Sequence, residues 1–227
     1  RLDAGLADAH YLYASRLDVA AGVPLPASRA SLVTRQSSLQ PDGSELGALI
    51  SSRWGMTDRL TAGLGLRWDD QTWGRADGGV QFSPRMNLRY DPGERTQLRA
   101  SWGRFYQAQG INELQVEDGI ETFYPAQRAD HLILSAEHAL PNQVDVRLEA
   151  YYKDYAELKP RFENMFDPLV LIPELQTDRV EVPASSGSAR GIELLLNRRG
   201  AGPWGWWLSY AWSQADDRID GKDVPRS

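Results

Sequence analysis

The stretch that decides the fold is QFSPRMNLRYDPGERTQLRASWGR, residues 81–104. Apolar and polar side chains alternate on both sides of its central DPGE, where proline and glycine are typical of a tight turn. Because the side chains of a strand point to opposite faces with period two, the pattern predicts an antiparallel hairpin. Its apolar face would run from Phe82 to Tyr90. Arginines would occupy the opposite face: Arg85, Arg89 and Arg99.

The composition of the chain argues against several classes of protein. The 227 residues carry a formal net charge of −6 and contain no cysteine. The acidic balance argues against a nucleic-acid partner, since nucleic-acid-binding proteins usually carry a basic excess. The missing thiols exclude disulfides and thiolate metal sites. No apolar run approaches the ~18 residues of a membrane-spanning helix. The first residues lack the pattern of a secretory signal, so we expect a mature chain, a cytosolic chain or a fragment.

Nine strands are predicted by the same alternation, at about 2–17, 45–54, 59–69, 80–90, 95–105, 128–140, 143–155, 190–199 and 204–213. Most reach the ~9–11 residues that cross a bilayer at a tilt. Short connections alternate with long ones, as in outer-membrane barrels with short periplasmic turns and long extracellular loops. The short ones are 55–58, 91–94, 141–142 and 200–203. The long ones are 18–44, with room for an extra strand near 31–39, then 70–79, 106–127, 156–186 and the polar end 216–227.

Aromatic residues indicate which face meets lipid. Trp204 and Trp212 share a face and are eight residues apart. At a ~40° tilt that spacing covers about 20 Å of the membrane normal, close to an apolar band of ~25 Å. We expect a lipid-facing girdle at Tyr90, Phe82, Trp54, Trp68, Trp102, Trp204 and Trp212. A soluble β-sandwich that binds carbohydrate on these aromatic residues remains an alternative.

The number of predicted strands indicates whether they could form a closed barrel. An antiparallel ring closes with an even number of strands, and an open edge is not tolerated in lipid. Nine strands therefore predict an all-β fold, an antiparallel meander of about nine long strands that is part of a transmembrane β-barrel.

Several short motifs resemble one family. They are SPR at 83–85, YDP at 90–92, LRASWGRF at 98–105, NEL at 112–114, AEH at 136–138 and GIEL at 191–194. In this order they resemble the barrel of TonB-dependent outer-membrane receptors, and the resemblance covers most of 45–215.

The resemblance implies a barrel of about 22 strands around a plug domain. It also implies import of ferric siderophores, cobalamin, nickel chelates or oligosaccharides across the bacterial outer membrane, with energy relayed by TonB. The expected partners are outer-membrane lipid, the plug domain, TonB and a small ligand such as a metal chelate, and no nucleic acid. No plug-like segment or TonB box is present in the sequence, so residues 1–227 are interpreted as part of the barrel without the plug.

The sequence contains none of the common catalytic motifs that we searched for. GxSxG, HExxH and P-loop motifs are absent, and the three histidines lack metal-ligand spacing. We therefore expect no catalytic residue, no cofactor and no metal site. The acidic cluster Asp216, Asp217, Asp220 and Asp223 is interpreted as a solvated loop rather than a calcium site. A passive porin or a barrel enzyme stays open as an alternative.

Ligand contacts are expected in the 106–127 connection, because the loops of such barrels face the medium. The candidates are Tyr106, Gln107, Gln109, Phe123 and Tyr124. Inward-facing arginines, at Arg67, Arg85, Arg89, Arg99 and Arg147, could guide an anionic substrate. The favoured interpretation is that they pair with inward carboxylates: Asp69, Asp145, Glu149 and Glu193.

Overall fold

The computed structural model describes residues 1–16, 34–73, 80–164, 179–198 and 204–226. The strands of the first half are β1 (Leu2–Asp8), β2 (Tyr11–Arg16), β3 (Thr34–Leu39), β4 (Asp42–Thr57), β5 (Leu60–Gln71), β6 (Gln81–Gly93) and β7 (Thr96–Gln107). Those of the second half are β8 (Gln127–Leu140), β9 (Val144–Ala156), β10 (Arg161–Asn164), β11 (Arg179–Val182), β12 (Ser186–Arg198), β13 (Trp206–Ile219) and β14 (Lys222–Pro225). Parts of four predicted connections, at 17–33, 74–79, 165–178 and 199–203, lie outside the described residues.

One large antiparallel sheet organises the chain. Its ten strands follow the order β1-β4-β5-β6-β7-β8-β9-β12-β13-β14, so neighbours in the sheet follow one another along the chain except where a side hairpin intervenes. The side hairpins are β2–β3 and β10–β11, each a separate two-stranded sheet. The all-β antiparallel meander predicted from the alternation is confirmed.

Two sequence predictions are wrong in detail. The strand predicted at 2–17 is divided at Ala9 and His10, because β2 leaves the large sheet to pair with β3. The region 216–227, predicted as a polar loop, instead continues β13 to Ile219 and turns back into a tenth strand. Asp220 and Gly221 make this turn with φ of 50° and 76°. An Asp-Gly pair suits a two-residue hairpin whose central residues both need positive φ.

The connections divide between two ends of the sheet. We call the end with the turns at 58–59, 94–95 and 141–143 the turn end. The opposite end, which carries the two side hairpins and the connection 108–126 between β7 and β8, is the loop end. The β7–β8 connection contains a 3₁₀ segment at Val116–Asp118, and a second 3₁₀ segment, Pro141–Gln143, forms a turn.

The apolar face of the sheet is not covered by protein. Cross-strand pairing aligns Leu64, Met86, Trp102, Leu132 and Tyr152 on this face. A soluble sheet would bury such a row against a second layer. Buried apolar residues of the described chain instead lie in connections at the loop end: Ile111, Leu114, Val116 and Ala184. The described chain therefore has one large sheet with an uncovered apolar face, rather than the two packed layers that the sandwich alternative predicts.

The register places two tryptophans of the apolar face on one row of cross-strand partners. Seven successive pairings lead from Trp54 on β4 to Trp212 on β13. Trp54 lies three residues from the turn end of β4, whereas Trp212 lies six residues along β13. Seven strand spacings of ~4.8 Å at a ~40° tilt displace the two indoles by about 20 Å along the membrane normal. That displacement is close to the height of an apolar band of ~25 Å.

The described residues contain no helix long and apolar enough to span a bilayer.

Candidate ligand site at the loop end

The long connections at the loop end fold against one another. The hydroxyl of Tyr11 on β2 donates to the carbonyl oxygen of Ile111 at 2.7 Å and accepts from the N–H of Leu114 at 2.9 Å. The indole N–H of Trp73, which follows β5, donates to the carbonyl oxygen of Gln109 at 3.0 Å. Burial raises the pKa of Tyr11 above its ordinary value. These bonds tie the β2–β3 hairpin and the end of β5 to the β7–β8 connection.

A buried ion pair joins the β7–β8 connection to the β10–β11 hairpin. Oδ2 of Asp118 lies 2.7 Å from Nη2 of Arg179, and the two side chains are 1% and 3% exposed. The guanidinium of Arg179 also lies 5.7 Å from the centroid of the Phe162 ring. On the same hairpin, Arg161 pairs with Asp217 of β13. The hairpin is thus fixed both to a neighbouring connection and to the wall of the sheet.

A cavity of about 510 Å³ lies beside this hairpin at the loop end. We call it the mouth cavity. Gln107 from β7, Tyr155 from β9, Lys159 and Phe162 lie along it. No periodic pattern marks these residues in the sequence. The one available signal is the run Lys159-Pro160-Arg161, two cations directly after a long strand.

The five predicted ligand contacts occupy different environments. Gln107 lines the mouth cavity. Tyr106 lies on the opposite face of β7, paired with Arg128. Gln109 is buried and serves the loop itself, since its side-chain amide donates to the Glu113 carbonyl oxygen at 2.7 Å and its side-chain oxygen accepts from Tyr124 N–H at 3.1 Å. Phe123 and Tyr124 are both half-buried. Burial raises the pKa of Tyr124, and the negative charge of Glu181 raises it further.

On the inner face of the sheet, opposite the apolar one, most arginines have carboxylate partners. Asp69 lies 2.6 Å from Arg67, and Glu149 lies 2.9 Å from Arg147. These partners are two residues apart on one strand and therefore share a face. Two unforeseen partners are Asp91, 3.0 Å from Arg89, and Glu137, 3.5 Å from Arg99. The described residues show no ion pair for the other predicted partners, Asp145 and Glu193.

Arg85 is the exception among the five predicted arginines. Its guanidinium lies 4.8 Å from the centroid of the Phe105 ring, and its buried Nε has no hydrogen-bond partner. Beside it, Arg53, Arg89 and Arg99 line a recess of about 970 Å³ on the inner face, whose lining contains no acidic residue.

No group of three or more His, Asp or Glu residues in the described part of the chain could hold a metal ion. The acidic cluster near the end of the sequence is engaged otherwise: Asp216 accepts from Gln214, Asp217 from Arg161, and Asp223 from Arg218.

The aromatic residues predicted as a girdle lie mostly exposed on the apolar face. Trp68 pairs with Phe82 near the loop end, and Leu60 pairs with Tyr90 near the turn end. The exposed fractions are 49% for Phe82, 44% for Tyr90, 47% for Trp54, 36% for Trp102, 46% for Trp212 and 77% for Trp204.

A long-stranded antiparallel meander, with an uncovered apolar face, a charged opposite face and elaborate connections at one end, defines the wall of an outer-membrane β-barrel. The family model described as "TonB dependent receptor-like, beta-barrel" matches residues 4–227. The chain therefore belongs to the TonB-dependent receptor family, whose barrels lie in the bacterial outer membrane. Its relatives are receptors and transporters rather than enzymes. No curated protein matches the chain.

Solved structures share the fold at low sequence identity. The FrpB iron transporter from Neisseria meningitidis has a TM-score of 0.58 and 17% identity, over 82% of this chain and 28% of that one. The ferripyoverdine receptor of Pseudomonas aeruginosa, bound to ferripyoverdine, has a TM-score of 0.55 and 16% identity, over 84% and 25%. The alcaligin outer-membrane receptor FauA from Bordetella pertussis has a TM-score of 0.52 and 20% identity, over 82% and 32%. The chain thus spans about a third or less of the length of these three relatives.

Proposed function

We propose that the chain forms part of the barrel of a longer receptor that imports a metal chelate, such as a ferric siderophore, with energy relayed by TonB. The proposal rests on the ten-stranded sheet, whose apolar face is exposed and could contact lipid. The folded connections of this sheet lie together at one of its ends. In a barrel of this kind the long connections face the medium, where a scarce nutrient is captured.

Relatives of the same fold support a metal-chelate cargo. The structures similar to this chain include an iron transporter, a ferripyoverdine receptor and the siderophore receptor PirA from Pseudomonas aeruginosa.

The inner face suits a second proposed partner, the plug domain of the longer receptor. Arg53 and Arg85 have no carboxylate partner among the described residues, and they border the inner recess of about 970 Å³. A buried or enclosed charge is stabilised by an opposite charge. Carboxylates of a plug domain would supply it, and TonB would act on that domain from the periplasm.

Uptake in cells tests the proposed function. A bacterial strain without the receptor gene should lose uptake of a radiolabelled ferric siderophore and regain it with the intact gene, but only when TonB is present. A passive porin would restore uptake equally with and without TonB, and that result would contradict the proposal.

Among the predicted ligand contacts, Gln107 is the one that lines the mouth cavity, and we propose it as a contact to the chelate. Gln107→Ala in the intact receptor should weaken chelate binding by about fivefold, the effect of one lost hydrogen bond. Gln97→Ala at the turn end is the matched control and should leave affinity unchanged. Equal affinities for wild type and Gln107→Ala would remove Gln107 from the site.

A further inference from the structure

The charged residues that line the mouth cavity are all positive. Five cations line it and no acidic residue does: Arg128, Lys159, Arg161, Arg179 and Arg226. At about 510 Å³ it falls within the ~300–1,000 Å³ range of small-molecule sites.

Three of these cations already have counter-ions outside the lining. Arg179 pairs with the buried Asp118, and Arg161 pairs with Asp217. Arg128 lies 3.7 Å from Asp130, which Arg104 also engages at 2.8 Å. These pairs fix guanidinium groups along the wall without placing a carboxylate in the cavity.

The other two cations are uncompensated. Lys159 and Arg226 make no ion pair with any described residue. Lys159 is half-buried, on the segment between β9 and β10. Arg226 follows β14, where its backbone N–H donates to the carbonyl oxygen of Ala215 at 2.9 Å, and it lies near enough to act electrostatically on Tyr155. Lys159 is partly desolvated, whereas Arg226 is exposed, and a half-buried cation without a counter-ion beside a second cation favours an anionic occupant.

The remaining lining offers aromatic and amide contacts. The guanidinium of Arg179 lies 5.7 Å from the centroid of the Phe162 ring, and the ring of Tyr155 lies 6.4 Å from that of His131 in an edge-on arrangement. Gln107, Gln115 and Gln127 add amide groups along the wall.

We propose that the mouth cavity binds an anionic metal chelate, one whose metal is held by ionised catecholate or carboxylate oxygens, with Lys159 and Arg226 contacting those oxygens. This assignment rests on the proposed function and narrows its cargo. A neutral chelate of similar size would leave the half-buried Lys159 without a counter-charge and would not be attracted by Arg226, so the site discriminates against it.

Calorimetric titration of the intact receptor in detergent tests the proposal with two simple probes. Ferric tris-catecholate is anionic, and ferric tris-acetohydroxamate is neutral. The receptor should bind the catecholate complex at least tenfold more tightly, and the preference should shrink as salt rises.

Matched variants locate the effect. Lys159→Gln and Arg226→Gln should each weaken catecholate binding by about fivefold, with about 20-fold for the pair, and leave hydroxamate binding unchanged. Arg218→Gln is the control: it removes the same charge at the loop end, from a side chain 59% exposed and paired with Asp223. Equal affinity for the two probes, or equal losses for Arg218→Gln and Lys159→Gln, would overturn the assignment.

The two proposals fail in different ways. TonB-dependent uptake of neutral ferric chelates, with no charge preference in the titration, would leave the import function intact and refute the anionic cargo. A loss of charge-selective binding in Lys159→Gln, without any TonB-dependent uptake by wild-type cells, would support the cavity and refute import.

Discussion

The buried pair between Asp118 and Arg179 provides the strongest test of how the loop end is held. Asp118→Asn keeps the shape of the side chain but removes its charge. Arg179, only 3% exposed, would then keep a charge with its carboxylate partner lost. We expect the β7–β8 connection and the β10–β11 hairpin to separate while the large sheet stays folded.

The magnitude follows from burial. Water screens a pair at 1% and 3% exposure very little, so the loss of one partner should cost about 3–5 kcal/mol. The pair between Arg218 and Asp223, with side chains 59% and 63% exposed, is the contrasting case. Removing it by Arg218→Gln should cost no more than about 1 kcal/mol.

Hydrogen exchange measured peptide by peptide is the appropriate assay, because the effect is local. Amides of 108–126 and 179–182 should exchange faster in Asp118→Asn, up to the limit set by complete local opening. Amides of β8 should keep the wild-type rate. The double variant Asp118→Asn/Arg179→Met, which buries no charge, should recover part of the protection.

An additive double variant would refute this reasoning. If Asp118→Asn and Arg179→Met each cost less than about 1 kcal/mol and their effects simply sum, the pair is not coupled and the burial argument is wrong. Faster exchange spread evenly over the sheet would also contradict a local role.

Two further predictions concern single positions. A side chain at Gly191 would meet the hydroxyl of Tyr151 at 2.6 Å and the backbone oxygen of Trp212 at 2.7 Å. Gly191→Ala should therefore destabilise the refolded barrel by about 1–3 kcal/mol in a urea titration. Gly55→Ala, with nothing within 4 Å, should have little effect, and similar losses for both would contradict the packing argument. Tyr11→Phe should raise proteolytic cleavage in the β7–β8 connection, because two buried backbone groups lose their partner. Since burial raises the pKa of Tyr11, wild-type protection should be complete below pH ~10 and lost as pH rises through the folded-state pKa, a step absent from Tyr11→Phe.

The local alternation of apolar and polar residues predicts most of the fold. The hairpin of β6 and β7 follows from side chains two residues apart, and its inner-face pair between Arg89 and Asp91 has the same origin. The turn itself differs: the strands extend to Gly93 and Thr96, with an irregularity after Tyr90, so the turn is shorter than the predicted four residues. The pairing of Gly93 with Thr96 across this irregularity thus places the chain reversal at 94–95.

Other features depend on contacts that no local pattern encodes. Asp118 and Arg179 are distant in sequence and meet only because two connections leave the sheet at the same end. The side hairpin of β2 and β3 is similar, since β2 has the same alternation as a sheet strand. The turn at Asp220 and Gly221, in contrast, does have a local signal, since an Asp-Gly pair is typical of a two-residue hairpin turn. The acidic residues around this pair favour the interpretation as a polar loop.

The central claim is that the apolar face of the sheet lies in lipid. The chain contains no cysteine, so single cysteines can be introduced one at a time along β8 and labelled with a fluorophore. In liposomes containing the intact receptor, labels at Leu132, Leu134 and Ala136 should be quenched from the acyl chains. Labels at His131, Ile133 and Ser135 should not be quenched from that side. A strict period of two is therefore predicted, whereas uniform quenching by an aqueous reagent at all six positions would contradict the membrane wall.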